Sequence, residues 1–262
     1  MKNKISILMT VHNFEKYIKK SIESILSQSF GDFELIIVDD LSTDNTVKII
    51  NSINDERINL FKLQKKIGRT KALNFGLNKI NSDLIAIQDA DDISEPDRIE
   101  KTINCFNDST VGLVCSRSKF IDNNDNEISN KFQKIKKFNS KKLKIENFIA
   151  HSSTTFRSKI NGHSFFYDES FIYAQDYKMI LTFLLKSKIH FLDEYLVKIR
   201  VHEKNMSNDE KIEKLRILEK IKLLNFVNNN FKNTFLESQL IKVEKLKLIM
   251  KLNLLKSKKF FK

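Results

Sequence analysis

Two acidic clusters stand out: Asp39 and Asp40 in "IIVDDLSTD", and Asp89, Asp91 and Asp92 in "AIQDADD". In both, the carboxylates follow an apolar run, where a buried strand gives way to a loop. Gathered carboxylates repel one another and resist ionisation unless a cation lies between them. Asp89 and Asp91 form an Asp-x-Asp, a donor set suited to Mg²⁺ or Mn²⁺. One or two carboxylates hold such an ion while its remaining positions take phosphate oxygens. The chemistry implied is the binding of a diphosphate through a metal. Two later residues are chemically competent. Asp176, in "YAQDYKMI", opens an amphipathic helix and is either its N-cap or a general base. His202, after a strand, is either a surface histidine or a metal ligand.

These residues need elements to hold them. "ISILMTV" (5–11), "ELIIVDD" (34–40), "INLFKL" (58–63) and "LIAIQDA" (84–90) read as strands. Between them lie helical spacings at 15–29, 44–53 and 69–80, and a further helix spans 95–106, with Ser42 or Thr43 capping the second and Ser94 the last. Apolar strands separated by single helices predict an α/β fold with a mainly parallel sheet covered on both faces. In such sheets ligands bind at the carboxyl ends of the strands, where both acidic clusters fall. No Gly-x-Gly-x-x-Gly follows either strand, which argues against a Rossmann dinucleotide site. After residue 110 come a strand (111–122), a turn at 123–127, a basic stretch leading to a helix (136–149), and an irregular "HSSTTFR" (151–157). A helix at 177–188, a strand at 189–202 and two long helical segments follow.

The 262 residues, 41% hydrophobic, suffice for one sizeable core, and the net charge is +13. Residues 204–262 hold 15 Lys and Arg against 6 Asp and Glu, leaving only +4 to residues 1–203. That near-neutral body with an acidic ligand edge would repel a phosphate backbone, so nucleic acid is not an expected partner. Cys105 and Cys115 lack Cys-x-x-Cys spacing and read as free thiols. The apolar run at the N-terminus is shorter than a signal peptide requires, and no run reaches the length of a membrane span. The expectation is a cytoplasmic protein, soluble or peripheral on the inner face of the plasma membrane.

"ISILMTVHN", "FELIIVDDLSTDNT", "IGRTKALNFGL" and "IAIQDADDISEPDRI", in this order, resemble the nucleotide-binding half of family 2 glycosyltransferases, inverting enzymes of the GT-A fold. "HSSTTFR", "YAQDYKMI" and "IRVHEKNMS" extend the resemblance to residue 207. It implies a GT-A domain over 1–207, with a nucleotide-binding half (1–110) and an acceptor half (111–207), and a basic helical tail over 208–262. By that resemblance, Thr10, His12 and Asn13 lie along the base and ribose, and Asp40 accepts hydrogen bonds from the base. Arg69 and Lys71 contact the nucleotide, Asp89 faces the ribose or sugar, Asp91 ligates the metal with Asp92 in support, and His202 completes the metal and diphosphate site. Asp176 is the general base, while His151, Ser152 and Gln175 belong to the acceptor side. His12, Met9 and Gln175 depart from the aromatic residue, Pro and Glu usual in the family. Arg200 either helps neutralise the diphosphate or flanks its strand.

The activity implied is transfer of a sugar from a nucleotide-diphosphate sugar, foremost a UDP-sugar, with Mn²⁺ or Mg²⁺. The acceptor would be a hydroxyl of a growing surface glycan such as capsule, O-antigen or lipooligosaccharide. A polyprenyl phosphate or protein acceptor, and a silent relative that only binds the nucleotide sugar, are the alternatives. In the tail, Ile241, Leu248, Leu252 and Leu255 form one helical stripe and Val243, Met250, Leu254 and Phe261 a second, with lysines between. One stripe would pack on the domain. The other, within 232–262, would meet an anionic membrane surface or a second copy as a homodimer contact.

Overall fold

The computed structural model describes residues 5–128, 138–202 and 210–257. Its first half alternates β1 (Ile5–Val11), α1 (Ile18–Leu26), β2 (Phe33–Asp39), α2 (Thr46–Asn51), β3 (Ile58–Lys62), α3 (Arg69–Leu77) and β4 (Leu84–Ile87), then adds β5 (Ile93–Ser94) and α4 (Arg98–Asn104). The second half contains β6 (Val111–Ile121), β7 (Glu127–Ile128), α5 (Ser140–Leu143), β8 (Thr155–Arg157), β9 (Lys159–Ile160), β10 (His163–Ser164), α6 (Gln175–Lys186) and β11 (Lys188–Arg200). Two helices, α7 (Glu210–Asn230) and α8 (Phe235–Ser257), follow.

One sheet runs in the order β3-β2-β1-β4-β8-β6-β11-β5, with β7 beside β6, while β9 and β10 form a separate hairpin. Strands β3, β2, β1 and β4 are mutually parallel. Parallel strands must be covered on both faces, which is why "ISILMTV" and "LIAI" read as continuous apolar runs. Register places Val11 opposite Asp39 and Leu8 opposite Ile87. The chain therefore leaves β1, β2 and β4 at one edge, carrying residues 12–13, 39–40 and 88–92 with it.

Alternate strand residues feed two apolar layers. Ile5, Ile7 and Met9 face α1 and α4 through Ile18, Ile22, Ile25, Ile99 and Ile103. Leu8, Ile36 and Val38 join Ala72 and Leu73 of α3, Phe183 of α6, Leu223 and Val227 of α7 and Ile241 of α8. The C-terminal helices thus share the core of the main body. Gly76 lets α3 approach the sheet closely: a Cβ there would lie 2.3 Å from Leu8 Cδ1 and 3.2 Å from Val38 Cγ2.

Four local expectations are corrected. "HSSTTFR" is a single 3-10 turn (His151–Ser153) followed by β8, a strand antiparallel to both β4 and β6 in the middle of the sheet. Its brevity and its run of hydroxyls conceal it from any apolar pattern. Ser94 does not cap α4, whose N-cap is Asp97, because Ser94 pairs in β5 with Val197 of β11. Neither Ser42 nor Thr43 caps α2; Asn45 holds that position, and Asp44 accepts the amide of Thr46 at 2.9 Å. The basic stretch yields only the one-turn helix α5, and part of it, 129–137, lies outside the described residues.

Candidate active site

Pairing of β5 with β11 folds the "DADD" loop back so that its acids meet the end of β11. Asp91 Oδ2 lies 2.9 Å from His202 Nε2, and the ring of Tyr17 stacks on His202 at 5.3 Å. Arg200, only 2% exposed, binds the main chain of this corner. Its Nε donates to Asp91 O at 3.0 Å, its Nη1 to Asp122 O at 2.6 Å, and its Nη2 pairs with Asp125 at 2.5 Å. Its amide donates to Asp92 Oδ1 at 3.0 Å. With its side chain buried and bound in this way, Arg200 builds the site rather than merely flanking its strand. The segment 203–207 of "IRVHEKNMS" lies outside the described residues.

Beneath the acids sits a second arginine that no motif reading singled out. Arg98 is fully buried and donates to Gln88 Oε1 at 2.9 Å, Ser94 Oγ at 2.8 Å, Ile87 O at 2.7 Å and Thr154 O at 3.4 Å. Gln88 in turn donates to the carbonyls of Asp89 and Asp92. Burial pushes the guanidinium down to about 10, still protonated at neutral pH, with Asp92 and Asp89 opposing that fall. An arginine in the second turn after an Asp-x-Asp, flanked by the apolar Ile93 and Ile99, is the sequence signal that could have found it.

Asp89 is held differently. Its Oδ1 accepts from Arg69 Nη2 at 2.5 Å, and Arg69 also donates to His151 Nδ1 at 3.0 Å. Arginine has only donors, so Nδ1 accepts and the proton sits on Nε2, facing the Tyr167 hydroxyl at 2.9 Å. Burial works against the Asp89 charge, but Arg69 outweighs it and keeps the carboxyl well below its usual range. Asp92 is the opposite case. Burial and then the charges of Asp91 and Asp89 push it well above the ordinary value, despite hydrogen bonds from Ser152 Oγ and the Arg200 amide.

A cavity of about 220 Å³ opens between these groups, lined by Arg69, Asp89 and Asp92 together with His151, Ser152, Gln175 and Asp176. Asp176 lies in the first turn of α6 rather than at its N-cap, which is Ala174. Its Oδ2 accepts from Asn147 Nδ2 at 3.3 Å, and burial raises its pKa. Gln175, which lines the cavity, is 4% exposed, and its buried Oε1 has no partner among the described residues. The turn before α6 is fixed from α7: Glu219, 3% exposed, accepts the amides of Ile172, Tyr173 and Ala174 at 2.7, 2.9 and 2.9 Å. The sequence gives no hint of this residue, because its partners are backbone groups far away along the chain.

The remaining expected residues are distributed as follows. Asp40 takes the amides of Ile67 and Gly68 at 2.7 and 2.9 Å, so its carboxylate holds the loop into α3 where the resemblance placed the base. Gly68 has φ +86°, a conformation that suits glycine. Asn13, at φ +62°, accepts from the amide of Thr43. His12 Nε2 meets Lys66 Nζ at 2.7 Å, and its buried Nδ1 is unpaired among the described residues. Thr10, the penultimate residue of β1, is half-buried, whereas Lys71 on α3 is exposed. His151 and Ser152 line the cavity, with their polar atoms bound to Arg69, Tyr167 and Asp92.

The residues present fit a divalent cation in one specific way. Among the described residues no group of three or more protein ligands comes together. Asp91 and His202 offer one oxygen and one nitrogen, and Asp92 resists ionisation beside two other carboxylates. Two protein ligands, beside a buried carboxyl that ionises with difficulty, suit an ion that takes its other ligands from substrate phosphates.

A mainly parallel sheet with paired acids at its carboxyl edge and a facing carboxylate on a separate helix defines the GT-A class of nucleotide-sugar transferases. The chain belongs to glycosyltransferase family 2, whose model, described as "Glycosyl transferase family 2", matches residues 6–164. An uncharacterized glycosyltransferase of Methanocaldococcus jannaschii is 35% identical over 209 residues, covering 75% of this chain and 70% of the relative. The O-antigen biosynthesis glycosyltransferase WbnJ of Escherichia coli is 31% identical over 210 residues, covering 77% of this chain and 81% of WbnJ. Another relative, from Haemophilus influenzae, is 38% identical over 126 residues, and the match spans 47% of this chain and 50% of that protein. Among solved structures, the mannosyltransferase PcManGT of Pyrobaculum calidifontis with GDP-Man and Mn²⁺ aligns with a TM-score of 0.72 at 15% identity, covering 98% of this chain and 74% of that one. S. aureus TarS 1–349 with UDP-GlcNAc aligns at 0.68 and 20% identity, covering 95% and 72%. These two share the GT-A fold seen here.

Proposed function

We propose that the protein is a metal-dependent inverting glycosyltransferase that moves a sugar from a nucleoside diphosphate to a hydroxyl of a growing surface glycan. The observation that carries this is a single cavity lined both by the strand-end acids Asp89 and Asp92 and by Asp176 of α6. Asp91 and His202 would hold the cation, which supplies charge neutralisation for the departing diphosphate. Arg69 binds Asp89 and keeps it ionised facing the donor. Asp176 takes the acceptor hydroxyl's proton as that oxygen attacks the anomeric carbon, and the bond to the diphosphate breaks on the opposite face. One base suffices for a single displacement with inversion. Gln175 lines the same cavity and would lie on the acceptor side.

The glycan acceptor is supported by the likeness to WbnJ, an O-antigen biosynthesis enzyme. UDP- and GDP-sugars are the donors to try first, because PcManGT and TarS, which share the fold, hold GDP-Man and UDP-GlcNAc. The test is a thermal-shift screen of UDP-, GDP- and CDP-sugars with and without Mn²⁺. One base should stabilise the protein only when the ion is present. No stabilisation by any of them, or equal stabilisation in chelator, would overturn the metal-diphosphate reading.

A further inference from the structure

Among the described residues, no helix is long and apolar enough to cross a membrane. Helix α8 nevertheless carries the largest run of uncovered apolar side chains. One stripe, Ile241, Leu248 and Leu252, packs inward, and Glu237 on the same side reaches Lys144 at 3.4 Å. The other side is largely exposed. Leu236 is 69% exposed, Leu240 and Val243 48%, Met250 66% and Leu254 64%, with Leu246 and Phe235 on its flank. The residues 236, 240, 243, 247, 250 and 254 recur at alternating steps of four and three, forming a continuous seam over roughly 30 Å of helix. An exposed apolar face of that extent marks a surface that something covers.

Charge decides what covers it. Lys247 sits within the seam and pairs loosely with Glu244 at 3.7 Å, Lys251 on its border is bound to Glu213 of α7 at 2.7 Å, and Lys242 and, ahead of the helix, Lys232 complete the basic surroundings, four lysines against two acids. In a parallel pairing of two copies Lys247 would face its own counterpart. At a lipid surface the same lysines bury their stems and reach the headgroups. We propose that this face of α8 docks in the interface of a bilayer bearing anionic headgroups, lying along its plane. The inference goes beyond glycosyl transfer and does not depend on it.

The test is cosedimentation of the full chain with phosphatidylcholine vesicles, with and without phosphatidylglycerol, using no donor or acceptor. The protein should pellet with the anionic vesicles and be released by salt. Leu240→Glu with Met250→Glu changes only exposed positions, so the melting temperature should hold while binding falls by about tenfold or more. Lys242→Gln with Lys247→Gln should weaken binding by about fivefold per lysine. Failure to pellet with anionic vesicles, or equal binding by the glutamate variant, would overturn the proposal. So would sedimentation velocity showing a dimer that the glutamate variant splits, which would assign the face to a second copy.

Discussion

Arg98→Met asks whether the acidic corner rests on the cation beneath it. The substitution keeps most of the side-chain volume and removes the guanidinium, taking a donor from Ser94 Oγ and Ile87 O and one of two from Gln88 Oε1, which still accepts from Ser94 Oγ at 2.7 Å. Each buried acceptor left unmade costs about 1–3 kcal/mol. The desolvation of Arg98 that is relieved offsets part of this, so the net loss is about 3–5 kcal/mol, the range for removing one partner of a buried charge network. For a body of this size that corresponds to a melting temperature lower by roughly 6–20 °C. Circular dichroism melts give the number, and Mn²⁺ with UDP gives a second readout, because Gln88, which Arg98 anchors, holds the carbonyls of Asp89 and Asp92. A variant that melts within about 2 °C of the parent and keeps its full ligand shift would refute the reasoning.

Asp176→Asn should stabilise the ligand-free protein. Burial raises the folded-state pKa above the ordinary 3.8, so the folded chain binds the proton more tightly and stability falls as pH rises through that window. At neutral pH the full cost is present and Asn removes it; a melt at pH 7 lower than the parent's would contradict this. The same shift puts the acid limb of kcat/KM above the ordinary carboxylate range, with activity lost as pH falls through it; a limb at or below that range would exclude Asp176 as the base. Glu219→Gln sets an amide NH₂ against main-chain donors and should cost about 2–4 kcal/mol. Metal-dependent nucleotide binding should survive while kcat drops, since the turn it holds leads only to α6; loss of nucleotide binding instead would deny it a local positioning role. Gly76→Val should destabilise by about 1–3 kcal/mol through contact with Leu8 and Val38, measured by urea unfolding; an unchanged midpoint would mean that α3 has room to shift.

The parallel half of the fold was legible because its strands are apolar on both faces and its helices punctuate them at regular intervals. The acids were legible for the same reason, since they interrupt apolar runs at a sheet edge. β8 was hidden because three residues, Thr155 to Arg157, leave no period to detect, and it gains its place only by filling the gap between β4 and β6. The resemblance named Asp40 for the base; its two oxygens also accept the Ile67 and Gly68 amides, a backbone demand invisible to a motif. Glu219 escaped because its partners, the amides of residues 172–174, are remote in sequence, and Arg98 escaped because its near partners, Ser94, Gln88 and Ile87, accept through a hydroxyl, an amide and a main-chain oxygen that no charge pattern reveals. The two stripes of α8 were readable from spacing, and Ile241 and Leu252 do pack inward while Val243, Met250 and Leu254 stay exposed; Phe261 lies outside the described residues. Spacing alone could not say that α7 reaches the site through Glu219.

The central claim is that Asp91 and Asp176 serve opposite sides of one transfer, and a paired measurement on Asp91→Asn and Asp176→Asn tests it. With the nucleotide sugar found by the thermal-shift screen, Asp91→Asn should lose the Mn²⁺-dependent shift. Asp176→Asn should keep that shift in full and show no release of nucleoside diphosphate in the presence of acceptor. Equal loss of the shift in both variants, or turnover retained by Asp176→Asn, would contradict the account.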